Sequence, residues 1–244
     1  DKILFDKISI LYASKDIHPV SKKARSFQVE CLKDFISKEY KVNHVENLIE
    51  VGCGHGANSD YMKEIYSNYL GVDYSNELIS IARDRYGNTK TKFEVDNIKD
   101  IEKYANFDLV VGIGILHHVD DIEEALNKMK KIGHKNTVYL FYEPQRGNPF
   151  IQLLRAIRTK VDHTYSGDQI FFKKQELTEI IDNLGFKNIK SRYNGYFTPP
   201  FAQVPLKPAF VFLPLCKLFI QIDRFLFKKT SSKLAWNFMI AFTR

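Results

Sequence analysis

Leu48-Ile49-Glu50-Val51-Gly52-Cys53-Gly54-His55-Gly56-Ala57 is an apolar run that breaks into alternating glycines and then enters a helix-forming sequence. A short apolar run closed by glycine reads as a buried strand. Glycines behind it let the backbone adopt positive φ and lie against a ligand with no side chain between. Gly52, Gly54 and Ala57 also satisfy the dinucleotide fingerprint G-x-G-x-x-A, so the turn alone leaves more than one nucleotide-like ligand open. Asp73 lies 19 residues past Gly54 at the end of the next apolar run, where a carboxylate accepts from ribose hydroxyls in either case. Two further acids separate the alternatives. Glu50, at the mouth of the first strand, suits a ligand carrying positive charge better than a pyrophosphate. Asp96, followed by Asn97 and Ile98 after the third run, is placed to accept from an adenine amino group while Ile98 packs on the ring.

Outward from this turn, the apolar runs 47–51, 69–72, 91–95, 107–112 and 137–142 are bounded by Gly, Asp or Asn and read as strands. Residues 57–67, 76–86 and 120–131 between them carry helical patterns, the last opened by a capping box of Asp120 and Glu123. Upstream, Ala24, Phe27, Cys31, Leu32 and Phe35 recur at helical spacing over 21–38 behind a Ser21 cap. Downstream, helices are expected over 150–160 and 173–184, the second stopped by Gly185. Strands follow at 186–197 and 234–243, the last with Trp236, Phe238, Ile240 and Phe242 on one face. This alternation predicts an α/β, Rossmann-like fold with a seven-stranded, mostly parallel sheet, an antiparallel last strand and helices on both faces. The ligand crevice belongs at the carboxyl ends of the strands.

Of the 244 residues 44% are hydrophobic and 27% charged, which excludes disordered, collagen-like and low-complexity chains. Cys31, Cys53 and Cys216 lack the close spacing of a zinc knuckle or a disulfide scaffold, so reduced thiols and a cytoplasmic setting are expected. No apolar stretch with a small-residue cleavage site opens the chain, and no secretory signal is expected. The net charge is +7, and residues 201–244 hold seven basic side chains against Asp223 alone, so six of those charges sit in the last fifth. An anionic partner is implied.

Four stretches in order, Glu50 to Gly56, Gly71 to Ser75, Val95 to Ile98 and Phe107 to Asp121, resemble the class I S-adenosylmethionine-dependent methyltransferases over about residues 44–142. The resemblance is to the type 11 group that includes ubiquinone and menaquinone biosynthesis methyltransferases. It implies S-adenosyl-L-methionine as cofactor and S-adenosyl-L-homocysteine as its product. Carried over by position, Glu50, Gly52, Cys53, Gly54 and Gly56 border the methionine part, and Asp73 the ribose. Tyr74 and Ile98 lie against adenine, Asp96 with Asn97 at its amine, and Gly112 and Ile113 beside the sulfonium. Tyr12 resembles the family's amino-terminal lid tyrosine, its alternative being an aromatic core plug.

A sulfonium is a good leaving group, so positioning supplies much of the rate, and only a poorly nucleophilic hydroxyl acceptor needs a base. His117 and His118 follow the fourth strand where the acceptor approaches; His117 is the favoured base, and capping or packing is the alternative for each. Adjacent residues point in different directions and no third ligand has suitable spacing, so no metal is expected. Cys53 reads as a small filler beside the turn. Asp162, His163 and Asp168 form a polar loop and are acceptor-site candidates.

Residues 209–228 form a basic, amphipathic helical pattern. At about 100° per residue Lys217, Gln221, Arg224 and Lys228 fall within roughly 60°, opposite Leu215, Phe219, Ile222 and Leu226. Asp223 fits neither face. The helix roofs the site, or lies on the inner membrane face against anionic lipid, and the two readings are compatible; its apolar run is too short to cross a bilayer. A small or lipid-like methyl acceptor follows, with nucleic acid not expected because the basic residues are interleaved with apolar ones. The alternatives are a soluble sugar or natural-product O- or N-methyltransferase, a nicotinamide-dependent reductase, and a non-catalytic cofactor-binding protein. One methyltransferase domain is expected over 1–244. It comprises an N-terminal helical lid (1–43), a cofactor-binding core (44–142), acceptor-side helices with the sixth strand (143–197), the insertion (198–233) and the last strand (234–244).

Overall fold

The computed structural model describes residues 9, 10, 13, 14, 17–161, 169–229 and 232–244. Seven strands form one sheet: β1 (Val45–Val51), β2 (Tyr66–Asp73), β3 (Thr91–Val95), β4 (Phe107–Ile113), β5 (Gly133–Pro144), β6 (Lys187–Asn194) and β7 (Asn237–Thr243). Their order is β3-β2-β1-β4-β5-β7-β6. The four pairs from β3 to β5 are parallel, and β7 runs antiparallel to both β5 and β6. The expected Rossmann-like sheet with its antiparallel last strand is therefore the observed one.

Side chains alternate across a strand, and this divides the core in two. On one face Leu48, Leu109, Val111, Leu140 and Tyr142 pack with helix α1 (Pro19–Tyr40), α3 (Asn76–Tyr86) and α8 (Ala209–Lys229). On the other, Ile49, Val110, Tyr139, Phe141, Phe238, Ile240 and Phe242 pack with α4 (Ile122–Ile132) and α6 (Lys174–Asn183). The remaining helices are α2 (Ala57–Met62), α5 (Pro149–Val161) and α7 (Pro199–Gln203). Chain order reverses between β1 and β4, so the segments leaving those strands diverge and open a crevice at their carboxyl ends. No helix among the described residues is long and apolar enough to cross a membrane.

Four local expectations are corrected. Helix α1 begins at Pro19, whose missing N–H costs nothing in the first turn. Ser21 lies inside the helix, buried, with its hydroxyl donated to the Val204 carbonyl at 3.3 Å instead of capping. Helix α2 stops at Met62, not 67, because Tyr66 joins β2 and pairs with Val45. The cap of α4 is Asp121, which accepts from Glu124 N at 2.9 Å, not Asp120 with Glu123; this register turns Ala125, Leu126, Met129 and Ile132 onto the sheet.

The fourth correction concerns α8. Its buried seam is Cys216, Ile220, Asp223 and Phe227, which meets α1, whereas Leu215 is 38% exposed and Phe219, Ile222 and Leu226 are only half-buried. The seam is rotated from the expected apolar side because Asp223 is a structural anchor. It is 1% exposed and accepts from Tyr196 N at 3.2 Å, Phe197 N at 3.1 Å, Thr198 N at 2.9 Å and the Thr198 hydroxyl. One buried carboxylate thus satisfies three consecutive backbone donors ahead of α7. Asp223→Ala leaves those donors unpaired and is expected to cost about 3 kcal/mol in urea unfolding. Asp223→Asn, which retains one acceptor oxygen, should cost clearly less. Equal stability of all three chains would contradict the anchor.

Candidate active site

The glycine turn leaves β1 at the point where chain order reverses. Gly52 (φ +71°), Gly54 (+54°) and Gly56 (+82°) all take the left-handed conformation. A Cβ on Gly52 would meet Ile115 Cδ1 at 2.5 Å, so the backbone there is held against the segment that follows β4. Gly52 N and Cys53 N both donate to the Val72 carbonyl, at 2.8 and 3.0 Å. Asp73, at the end of β2, accepts from Gly54 N at 2.9 Å and Ser75 N at 3.0 Å, tying the turn to the neighbouring strand.

Three carboxylates stand toward the carboxyl ends of adjacent strands: Glu50 on β1, Asp73 on β2 and Asp96 just past β3. Glu50 is fully buried and accepts from Asn58 Nδ2 at 2.6 Å and from the Tyr69 hydroxyl. Burial pushes its carboxyl up to about 7, against the pull of those two hydrogen bonds toward the anion. The Asp96 side chain is 7% exposed; it pairs with Lys103 Nζ at 2.8 Å and accepts from Asn97 N at 2.9 Å. Asn97 caps the 3-10 turn over 98–103 by accepting from Lys99 N, and Ile98 packs at the edge of the core. Tyr74 is half-buried directly after Asp73. Cys53 is buried, its thiol pushed well above the usual range mainly by desolvation, and its Sγ lies 2.8 Å from where a Gly71 Cβ would stand; it fills space.

Across the crevice, β4 ends at Gly112 and Ile113, and Gly114 follows at φ +68°. A Cβ on Gly112 would meet the Phe141 ring at 2.6 Å, so glycine there lets β4 lie close to β5's side chains. His117 sits in the 3-10 turn over 116–118, 8% exposed, with Nδ1 2.8 Å from Glu143 Oε2. Glu143, at the end of β5, is fully buried and its Oε1 also accepts from Ile115 N at 3.0 Å and Leu116 N at 2.9 Å. Its side chain therefore orients both the loop after β4 and the imidazole. Phe171 stacks on the His117 ring at 5.3 Å between centroids, and Arg155 lies over Phe171 at 3.7 Å. His117 Cε1 is 3.7 Å from where a Gly114 Cβ would stand, so the ring borders the end of β4. His118 lies beside it, and burial, the largest cause, pushes it down to about 4. It is neutral at pH 7.

Glu50, Gly52, Gly54, Asp73, Gly112, Ile113 and His117 thus stand at the carboxyl ends of β1, β2 and β4, with Asp96, Asn97 and Ile98 past the end of β3. Tyr12, Asp162, His163 and Asp168 lie outside the described residues. Glu143, Phe171 and Arg155, together with the Glu50 partners Asn58 and Tyr69, were not singled out from the sequence. The available signal for Glu143 is a lone carboxylate closing an otherwise apolar strand. Among the described residues no group of three His, Cys, Asp or Glu side chains is arranged to hold a metal ion.

The cradle suits an adenosyl sulfonium. Its glycine backbone leaves no Cβ against the ligand, and carboxyl groups at the three strand ends can accept from hydroxyl and amine donors, which a pyrophosphate lacks. A family model described as a methyltransferase domain matches residues 18–191. A ubiquinone biosynthesis O-methyltransferase of Pelagibacter ubique is 24% identical over 119 residues, 46% of this chain, and the chain spans half (50%) of that relative's length. A juvenile hormone acid O-methyltransferase of Bombyx mori is 24% identical over 200 residues, covering 72% of this chain and 70% of that one. The crystal structure of a Synechocystis magnesium protoporphyrin IX methyltransferase with bound S-adenosylhomocysteine superposes with a TM-score of 0.64 at 11% identity, covering 100% of this chain and 97% of that one. That likeness bears on the fold. With the four sequence motifs brought to the carboxyl ends of neighbouring strands and the family match spanning most of the chain, this protein belongs to the class I S-adenosylmethionine-dependent methyltransferases.

Proposed function

We propose that this chain, acting as one catalytic unit, methylates a hydroxyl oxygen on a small acceptor with an apolar body, and that His117, held by Glu143, removes the hydroxyl proton. The His117–Glu143 couple at the carboxyl ends of β4 and β5 is the observation that carries this reading. Donation from Nδ1 to the carboxylate leaves the neutral ring's lone pair on Nε2. A carboxylic acid, with a pKa near 4, is already ionised at neutral pH and needs no such base; a phenolic hydroxyl, near 10, does. The donor, when bound, supplies a methyl group activated by its sulfonium.

The protein's own residues then have holding tasks. The backbone of Gly52 to Gly56 and the Glu50 side accommodate the methionine portion. Asp73 faces the ribose, Tyr74 and Ile98 the base, and Asp96 with Asn97 its amine. Gly112 and Ile113 border the reacting centre, and Phe171 shields the base from water. An acceptor with an apolar body fits a peripheral, cytoplasmic-face contact with membrane through the amphipathic helix α8. Incubating the purified chain with methyl-labelled S-adenosylmethionine and a cell lipid extract should move label into an organic-extractable product whose methyl is ether-linked. Label retained on the donor by a chain that binds S-adenosylhomocysteine calorimetrically would instead mark a non-catalytic cofactor-binding protein. Heat on titration with NAD, and none with S-adenosylhomocysteine, would mark a reductase.

A further inference from the structure

Helix α8 has apolar side chains on more than its buried side. With Cys216, Ile220 and Phe227 turned onto α1, Val211 (50% exposed), Leu218 (56%) and Phe225 (62%) recur every seven residues along the outer surface. At 3.6 residues per turn such a spacing keeps them on one line, about 21 Å long. Phe210, 79% exposed, stands at its amino-terminal end and Leu215 within it. Exposed Lys217 and Lys207 flank the line. Near the carboxyl end of α8, an apolar groove of about 440 Å³ opens between Leu226, Phe197, Phe150 and Trp236.

A heptad line of this kind has two natural occupants, a second copy of the chain and a lipid surface, and charge separates them. The one acid of α8, Asp223, is buried in its anchor, and Glu30 on α1 is held by Arg224 at 2.7 and 3.1 Å. In an antiparallel two-fold pairing of the helix the basic edge would face its own copy, like charge against like. In a parallel pairing it would meet an edge of α8 with no acid. An anionic headgroup layer presents the complementary charge along the whole edge and an apolar phase beneath it.

We propose that this line is a docking surface for anionic membrane, with α8 lying flat, Phe210, Leu218 and Phe225 entering the acyl boundary, and Lys217 and Lys207 meeting lipid phosphates. The proposal deepens the reading of an acceptor with an apolar body and rests on that reading for its purpose, not for its geometry. Vesicle docking without methyl transfer would leave the surface standing while the catalytic reading fell.

The test is co-sedimentation of the full chain with phosphatidylcholine vesicles carrying about one third phosphatidylglycerol, compared with phosphatidylcholine alone. Binding is expected only to the anionic vesicles and should weaken as salt is raised. The exposed double variant Leu218→Ser/Phe225→Ser and, separately, Lys217→Glu are expected to lower the vesicle partition coefficient at least about tenfold. Their thermal midpoints and S-adenosylhomocysteine binding heats should match the parent chain. Failure of the parent chain to bind anionic vesicles, or equal binding by the double variant, overturns the proposal. So does a concentration-dependent dimer in sedimentation velocity that the same double substitution abolishes, which would assign the line to a second copy.

Discussion

His117→Ala is expected to lower kcat by about 10²- to 10⁴-fold on a hydroxyl acceptor while S-adenosylhomocysteine affinity stays within about twofold, because a positioned base contributes to proton removal and not to holding the cofactor. Glu143→Gln tests the same couple from its other side. A glutamine oxygen can still accept from Ile115 N and Leu116 N, so the loop is retained, but its amide presents N–H to His117 Nδ1. The ring must then carry its proton on Nε2 and loses the lone pair that the acceptor needs. Its kcat should fall by a similar order at neutral pH, with KM little changed. His118 is already neutral at pH 7, with its titration pushed down to about 4, so His118→Gln should alter neither the neutral limb of the pH profile nor kcat to a comparable degree. A His117→Ala chain within threefold of the parent's kcat would remove the base from the mechanism.

The second large effect is on the cradle. Gly56 combines φ +82° with ideal-Cβ distances of 2.8 Å to the Phe93 ring and 2.9 Å to Ala82 Cβ. Neither neighbour has a flexible end to move: Phe93 is buried on β3 and Ala82 is packed in α3. Gly56→Ala therefore adds left-handed strain of about 1–2 kcal/mol to overpacking of about 1–3 kcal/mol. A total near 3 kcal/mol should lower the thermal midpoint by about 10 °C in a chain of this size. Gly114→Ala is the internal comparison. Its φ is +68°, but the nearest atom to the added Cβ is His117 Cε1 at 3.7 Å, an ordinary contact. It should show the backbone strain alone, about 1–2 kcal/mol. Equal midpoints for the two variants would mean that the Phe93–Ala82 wall yields and that the turn is not sterically held.

The strands were legible because each pairs a short apolar run with a punctuating Gly, Asp or Asn, and a buried parallel strand has little else to be. Boundaries moved where a second pattern competed. Met62 to Ile65 continues the helical rhythm of α2, yet the ladder from Val45 to Tyr66 captures the chain first. Asp120 and Asp121 offer equivalent caps, and only the docking of Met129 and Ile132 onto the sheet selects Asp121. In α8 a wheel ranks side chains by polarity alone, so it placed Asp223 off both faces, while the turn at 196–198 made that carboxylate the most firmly bonded group of the seam.

From its residues alone the chain determines the Rossmann-like order of elements, the glycine turn, the acids at the ends of the first three strands and the histidines after the fourth. These are local patterns, and each is written within a few positions of where it acts. The union of His117 with Glu143, 26 residues away, was decided by tertiary structure, as were the engagement of Glu50 by Asn58 and Tyr69 and the rotation of α8 that leaves Val211, Leu218 and Phe225 in water. Hydrogen bonds across parallel strands join residues that no periodicity links, and a helix's buried side is chosen by what its neighbours offer, not by its own apolar count.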